Sequence, residues 1–159
     1  VKKSFDPIAQ YFARSTSLQV SKIILFDTYG PWDRREKIVD LIINARKQPL
    51  KLHAPDLEIN LTYSYDVISA IEKLLDWQSC DSEVQEFIVR SKDSVKVYEL
   101  VKIVETLLNR KLKIELGCDT SKENFLPETD FPYVPGWTQQ YSLLDGLKEK
   151  LKFEKIFYD

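Results

Sequence analysis

The chain has 159 residues, 43% of them hydrophobic and 30% charged, a balance that fits one folded domain and excludes a disordered tail. Its 23 basic and 25 acidic residues leave a net charge of −2, so no basic excess is available to displace the counterions of a nucleic acid. No apolar run approaches the ~18 residues that span a bilayer, and the polar, charged start after Val1 has no signal-peptide pattern.

Cys80 and Cys118 are the only cysteines. They lie far apart, match no metal spacing, and read as free thiols of a reducing cytoplasm. His53 is the one histidine; it sits in the polar segment 49–55 and reads as a solvated loop residue, so neither a histidine metal centre nor a triad is expected. There is no methionine, and Val1-Lys2-Lys3 leads directly into an amphipathic pattern. That start fits either a trimmed leader or the C-terminal piece of a longer protein.

Residues 4–15 predict a helix, because Phe5, Ile8, Ala9 and Phe12 recur at helical spacing, with Asp6 as N-cap and Pro7 at the first helical position. Residues 18–27 predict a strand. Its run Ile23-Ile24-Leu25-Phe26 is nearly continuous, as in strands covered on both faces of a parallel sheet. The strand opens into Asp27-Thr28-Tyr29-Gly30-Pro31-Trp32-Asp33. A strand end leading to a helix N-terminus is where α/β folds place ligands. Asp33-Arg34-Arg35-Glu36 has the form of a capping box and predicts a helix from Asp33 to about Arg46. Arg34 and Arg35 in its first turn oppose the helix dipole. They read equally as a solvated rim and as cations that await an anionic ligand.

Ile59, Leu61 and Tyr63 alternate as a short strand. A helix starting at Ser64 or Tyr65 carries Val67, Ala70, Ile71, Leu74 and Leu75 and closes at Trp77. Residues 86–90 predict a strand, 97–108 the clearest helix, and 112–117 a period-2 strand. Residues 118–141 lack periodicity and form a candidate lid or substrate loop. A last helix runs from Ser142, with Asp145 as acidic partner, to about Leu151. This alternation is α/β, without a Gly-x-x-Gly-x-x-Gly or Walker-type loop.

Three stretches carry a resemblance. Tyr29-Gly30-Pro31 follows an apolar strand and precedes Lys37-Ile38. Tyr63-Ser64-Tyr65-Asp66-Val67 is similar to a Tyr-Val-x-Asp-Val segment. Pro135-Gly136-Trp137 and Ser142-Leu143-Leu144-Asp145-Gly146-Leu147 are similar to a Gly-Trp-x-Pro and Ser-Leu-x-x-Gly-Leu ending. In this order they resemble the C-terminal half of the extended short-chain dehydrogenase/reductases, the NAD-dependent sugar-nucleotide epimerase/dehydratase family. The Phe-Asp-Thr-Tyr-Gly-Pro form is most similar to dideoxysugar nucleotide synthases of the CDP-abequose or CDP-paratose kind.

The resemblance implies a partial Rossmann-like unit, the last strands of a parallel sheet, in residues 1–48. It implies the small α/β substrate-binding region in residues 49–159, interleaved with the first in space. It places Lys2 on the catalytic lysine, whose partner tyrosine and glycine-rich cofactor loop would lie before Val1. In family chemistry that lysine lowers the tyrosine pKa and the nicotinamide carries the hydride. Phe26, Asp27, Thr28 and Pro31 would face NAD or NADP; Tyr29, Trp32, Arg34, Arg35 and Lys37 would face the substrate. Asp27 stands where several relatives have asparagine, and a carboxylate there would repel a pyrophosphate. Ile59 stands at the family's phosphate-binding arginine, so Arg34, Arg35 or Lys37 would take over that contact. The implied partner is a nucleotide-linked sugar, with neither nucleic acid nor membrane nor metal. NAD or NADP is the cofactor of a full-length parent, with none expected on these residues alone. The chain is thus expected to be an inactive part of an enzyme or, alternatively, a non-catalytic nucleotide-sugar-binding or interaction module. An open strand edge at residues 20–26 would favour a homodimer.

Overall fold

The computed structural model describes residues 2–33, 35–78, 83–118 and 130–154. Arg34, Cys80, the side chain of Lys2 and residues 119–129 of the candidate loop lie outside that description.

A 3-10 turn at Lys2–Phe5 leads into α1, Asp6–Ser15. The expected cap is not used. Phe5 is the N-cap, and Asp6 lies inside the first turn with its carboxylate 3.0 Å from Lys22 Nζ. The segment expected as one strand divides at Phe26 into β1, Ser21–Leu25, and β2, Asp27–Tyr29. The Asp33 capping box does not form either. The next helix, α2, spans only Ile38–Asn44, with Lys37 at its N-cap. Asp33 instead accepts from the Arg35 backbone N–H at 3.2 Å and from its guanidinium at 2.7 Å. Such local pairing competes with a helical start.

Further on come β3 (Leu50–Leu52), β4 (Glu58–Ile59), β5 (Leu61–Tyr63) and α3 (Ser64–Asp76). Next are β6 (Gln85–Val89), β7 (Val95–Lys96), α4 (Val97–Leu108), β8 (Ile114–Leu116) and α5 (Leu143–Phe153). β1 pairs parallel with β6, and β2 parallel with β5. Phe26 is therefore the point where one extended segment leaves one neighbour and joins another. β3 and β8 are parallel, β4 and β7 antiparallel. The architecture is the α/β one that the alternation of elements implies.

Two cores form. The larger gathers Tyr29, Ile42, Tyr63, Leu100 and Leu147 from α2, α4, α5 and the β2–β5 pair. The smaller gathers Ala70, Phe87, Val89, Val134 and Trp137 against β1 and α3. The apolar spacing of α1 is real, but its face is open: Phe5 is 64% and Ile8 50% exposed. Polar contacts hold this helix instead, with Arg14 paired to Glu83 at 2.7 Å and Lys22 bridging Asp6 and Glu86.

α5 is bound to the strands by two exact fits. Gly146 faces the Tyr29 hydroxyl and the Tyr63 ring, which leave no room for a Cβ. One turn later Lys150 is fully buried. Its ammonium donates to Gly30 O at 3.1 Å, Asp40 at 2.8 Å and Glu154 at 2.6 Å, so all three protons are satisfied. Burial alone would lower its pKa. The hydrogen bonds to Asp40 and Glu154 outweigh that and hold it above the ordinary lysine value.

Two predictions follow from these contacts. Lys150→Ala leaves two carboxylates and a carbonyl without their donor, and urea unfolding should show a loss of about 3 kcal/mol; an unchanged midpoint would mean the ammonium is not buried in solution. Hydrogen bonding from Arg35 lowers the Asp33 pKa to about 2. A depressed carboxylate stabilises its fold fully above its unfolded pKa of about 4, and that stabilisation is lost as pH falls through the folded value. Carboxyl NMR titration should place the Asp33 midpoint near 2, moving toward 4 in Arg35→Ala.

Candidate functional site

At the break between β1 and β2 the backbone turns from one parallel partner to another, and a crevice opens beside it. Leu25, Phe26, Asp27, Thr28, Arg35 and Lys37 line an open pocket of about 470 Å³ there. Carboxyl ends of parallel strands at a change of partner are where doubly wound sheets receive ligands. Phe26, Asp27, Thr28, Arg35 and Lys37, all singled out from sequence, meet at this place.

Their charges are not equally available. Lys37 donates to the Thr28 carbonyl at 3.1 Å and to its hydroxyl at 3.4 Å, which leaves one of its protons. Arg35 grips both oxygens of Asp33, at 2.7 and 2.8 Å. Its charge is paired within the turn while its side chain stays exposed. The Asp27 carboxylate is exposed at the strand end.

The other sequence candidates lie elsewhere. Tyr29 is only 2% exposed; its hydroxyl donates to Leu143 O at 3.2 Å and its ring sits 5.4 Å from Tyr63. Burial pushes its pKa up. It packs in the larger core. Pro31 and Trp32 form the turn past the pocket. Trp32 has φ 62° and its ring is edge-on to Phe153 at 4.9 Å. That left-handed conformation costs a bulky residue about 1 kcal/mol or more. Lys2 has its backbone in the opening 3-10 turn.

Two features escaped the sequence reading. The first is a Tyr-x-x-x-Lys spacing in α4, Tyr98 to Lys102. Lys102 lies over the ring face at 4.9 Å while the hydroxyl donates to Glu99 at 3.2 Å. A cation on the ring face does not support a phenolate oxygen, so this spacing carries no acid–base chemistry. The second is Arg90, at the carboxyl end of β6. Its guanidinium lies 5.8 Å from the Phe26 ring centroid, and its Nε donates to the Tyr133 hydroxyl at 3.3 Å. Only its place at the end of a strand parallel to β1 could have pointed to it.

A polar frame ties α3 to the segment before α5. The Asp66 carboxylate accepts the N–H groups of Gln140 at 2.7 Å and Tyr141 at 3.2 Å. Burial nevertheless raises its pKa. The Trp137 indole donates to Asp66 O at 2.9 Å. Among the described residues no cluster of His, Cys, Asp and Glu could hold a metal ion, and no helix is long and apolar enough to cross a membrane. His53 and Cys118 are exposed.

No family model matches the sequence. The CDP-abequose synthase of Yersinia pseudotuberculosis is 26% identical over 156 residues, which is 96% of this chain and 53% of that protein. The chain thus spans about half the length of the curated relative it matches. Among solved structures, MoeE5 with UDP-glucuronic acid and NAD superposes with a TM-score of 0.81 at 19% identity, over 98% of this chain and 54% of that one. The Thermotoga maritima UDP-glucose 4-epimerase with UDP-glucose gives 0.73 at 19% identity, over 99% and 53%. The dTDP-glucose 4,6-dehydratase of Bacillus anthracis with NAD gives 0.72 at 24% identity, over 98% and 50%. In sequence the chain is thus similar to about half of a CDP-abequose synthase, and in fold to about half of several sugar-nucleotide epimerases and dehydratases.

Proposed function

We propose that these 159 residues form the nucleotide-sugar-binding part of an NAD(P)-dependent epimerase, dehydratase or reductase, and that alone they turn over no substrate. The pocket at the β1–β2 break carries this reading. Parallel strands deliver Phe26, Asp27 and Thr28 to the place where such folds receive nucleotides, with Lys37 at the rim. The nucleotide sugars bound by MoeE5 and the Thermotoga epimerase, which share this fold, support that substrate class.

The residues fit one end of a nicotinamide dinucleotide. Phe26 offers a half-buried ring and Thr28 a hydroxyl, which suit a flat heteroaromatic amide. Gly30, Gly117, Gly136 and Gly146 are the only glycines, and none has the spacing that lets a backbone approach a dinucleotide pyrophosphate. When bound, the nicotinamide supplies hydride transfer. The chain's own residues bind and orient: Lys37 holds the strand end through Thr28, and Phe26 lines the pocket beside it. On the family motif Lys2 takes the place of the catalytic lysine, which acts only beside a tyrosine phenol.

A second reading is a non-catalytic module on the same scaffold. It rests on Ile59, which packs against the larger core at the position of the family's phosphate-binding arginine.

Titration of the chain with UDP-glucose and CDP-glucose should move the amide NMR signals of residues 26–37, with dissociation constants of about 1 mM. Calorimetry with NAD should show no micromolar binding. Micromolar NAD affinity, or nucleotide sugars that leave residues 26–37 unmoved, would overturn the reading. Turnover of a nucleotide sugar by a longer form of the chain with NAD or NADP would eliminate the non-catalytic module.

A further inference from the structure

We infer that Arg90 binds the oxyanion of the nucleotide sugar, either its pyrophosphate or a carboxylate on its sugar; this rests on the nucleotide-sugar reading above. Leu25 stands opposite Val89 in the β1–β6 ladder, so one step further on Phe26 and Arg90 flank each other at the carboxyl ends of the two strands. The guanidinium rests toward the Phe26 face, 5.8 Å from its centroid, a favourable place for a cation.

Its bonding leaves the useful end open. Nε donates to the Tyr133 hydroxyl at 3.3 Å, which uses the one donor that a bidentate fork does not need. Among the described residues no carboxylate pairs with Arg90. Arg14, Lys22, Arg35, Lys51, Lys111 and Lys150 all have such a partner. The two terminal nitrogens present a planar fork, the geometry that matches a phosphate or carboxylate. Near the pocket Arg35 is neutralised by Asp33 and Lys37 is engaged by Thr28, while Ile59 packs into the core.

Arg90 is also held in place. The Ile88 N–H donates to Pro132 O at 2.9 Å, and Tyr133 bridges to Ile88 beside it. The Tyr133 ring stacks on Trp137 with centroids 6.0 Å apart at 21°. The Trp137 indole is fixed by Asp66 O and by Ser69 Oγ at 3.1 Å. A guanidinium positioned before the ligand arrives loses less side-chain freedom on binding.

The test follows the Arg90 Nε–Hε NMR signal and the dissociation constants during titration with inorganic pyrophosphate, UDP-glucose, UDP-glucuronic acid and glucose. The 159-residue chain is compared with Arg90→Gln, Arg90→Lys and Tyr133→Phe. Arg90→Gln should weaken UDP-glucuronic acid about 10-fold, with Arg90→Lys between it and the parent. Tyr133→Phe should cost about 3-fold, the worth of one ordinary hydrogen bond. Glucose should bind none of them. A pyrophosphate contact predicts equal losses for UDP-glucose and UDP-glucuronic acid; a sugar-carboxylate contact predicts a loss for UDP-glucuronic acid alone.

If both nucleotide sugars bind Arg90→Gln as well as the parent and the Nε–Hε signal stays fixed, Arg90 is not the anion contact, and the nucleotide-sugar reading survives. If pyrophosphate moves the signal but neither nucleotide sugar binds, Arg90 stands as an anion site and the nucleotide-sugar reading falls. Binding of no probe overturns both. Should Arg90→Gln fail to fold, the parent signal and Tyr133→Phe still decide.

Discussion

The Lys150 ammonium fixes how the last helix meets everything before it. An ammonium taken from water without partners costs several kcal/mol, so α5 can dock only where three acceptors converge. Those acceptors come from separate places: Gly30 O in the turn after β2, Asp40 on α2 and Glu154 on α5 itself. The docking therefore sets the turn as well as the helix. Gly146 makes the same demand sterically, since only hydrogen fits against Tyr29 and Tyr63. With the turn pinned on its core side, the strand end at Phe26 to Thr28 stays outside, at the rim of the pocket.

Charge at that rim is already largely spent. Formal charge alone would favour Arg35 as an anion contact, but its guanidinium is paired with both oxygens of Asp33 two residues away. Lys37 supports the strand end through Thr28. Arg90 differs in kind. Its contacts are to a ring face and to a phenol, neither of which cancels its charge. A site selects a ligand with the groups its own structure has left unsatisfied.

Legibility in the sequence followed locality. The helix expected over residues 97–108 is α4, Val97–Leu108, because a strict 3.6-residue apolar period needs no distant partner to be read. Ser142 caps α5 and accepts the Asp145 N–H at 3.1 Å, again a local signal. The run at residues 18–27 hid its break because an apolar stretch looks the same whether it pairs with one strand or two, and the partners are remote in sequence: Ser21 pairs with Gln85 and Asp27 with Leu61. Asp33 misled because a capping box and an Asp–Arg clasp share the same opening residues. Lys150 and Arg90 were invisible, since a lysine inside a core and an arginine with no carboxylate partner among the described residues are defined by neighbours remote in sequence. Tyr98 and Lys102 show the converse: spacing without orientation carries no chemistry.

The stretches that carried the family resemblance are mostly those that hold the fold. Asp66 spends its carboxylate on the backbone of residues 140 and 141, Trp137 spends its indole on Asp66, and Gly146 makes room for two tyrosines. Such residues recur wherever the same backbone must be built, whatever ligand it serves. Among the described residues, the groups that this frame leaves unspent near the pocket are others: Phe26, the remaining proton of Lys37, and the terminal nitrogens of Arg90. Relatives that share the first set and differ in the second would keep the scaffold and change the substrate. In shape the chain is similar to several sugar-nucleotide enzymes, while Ile59 packs against the larger core.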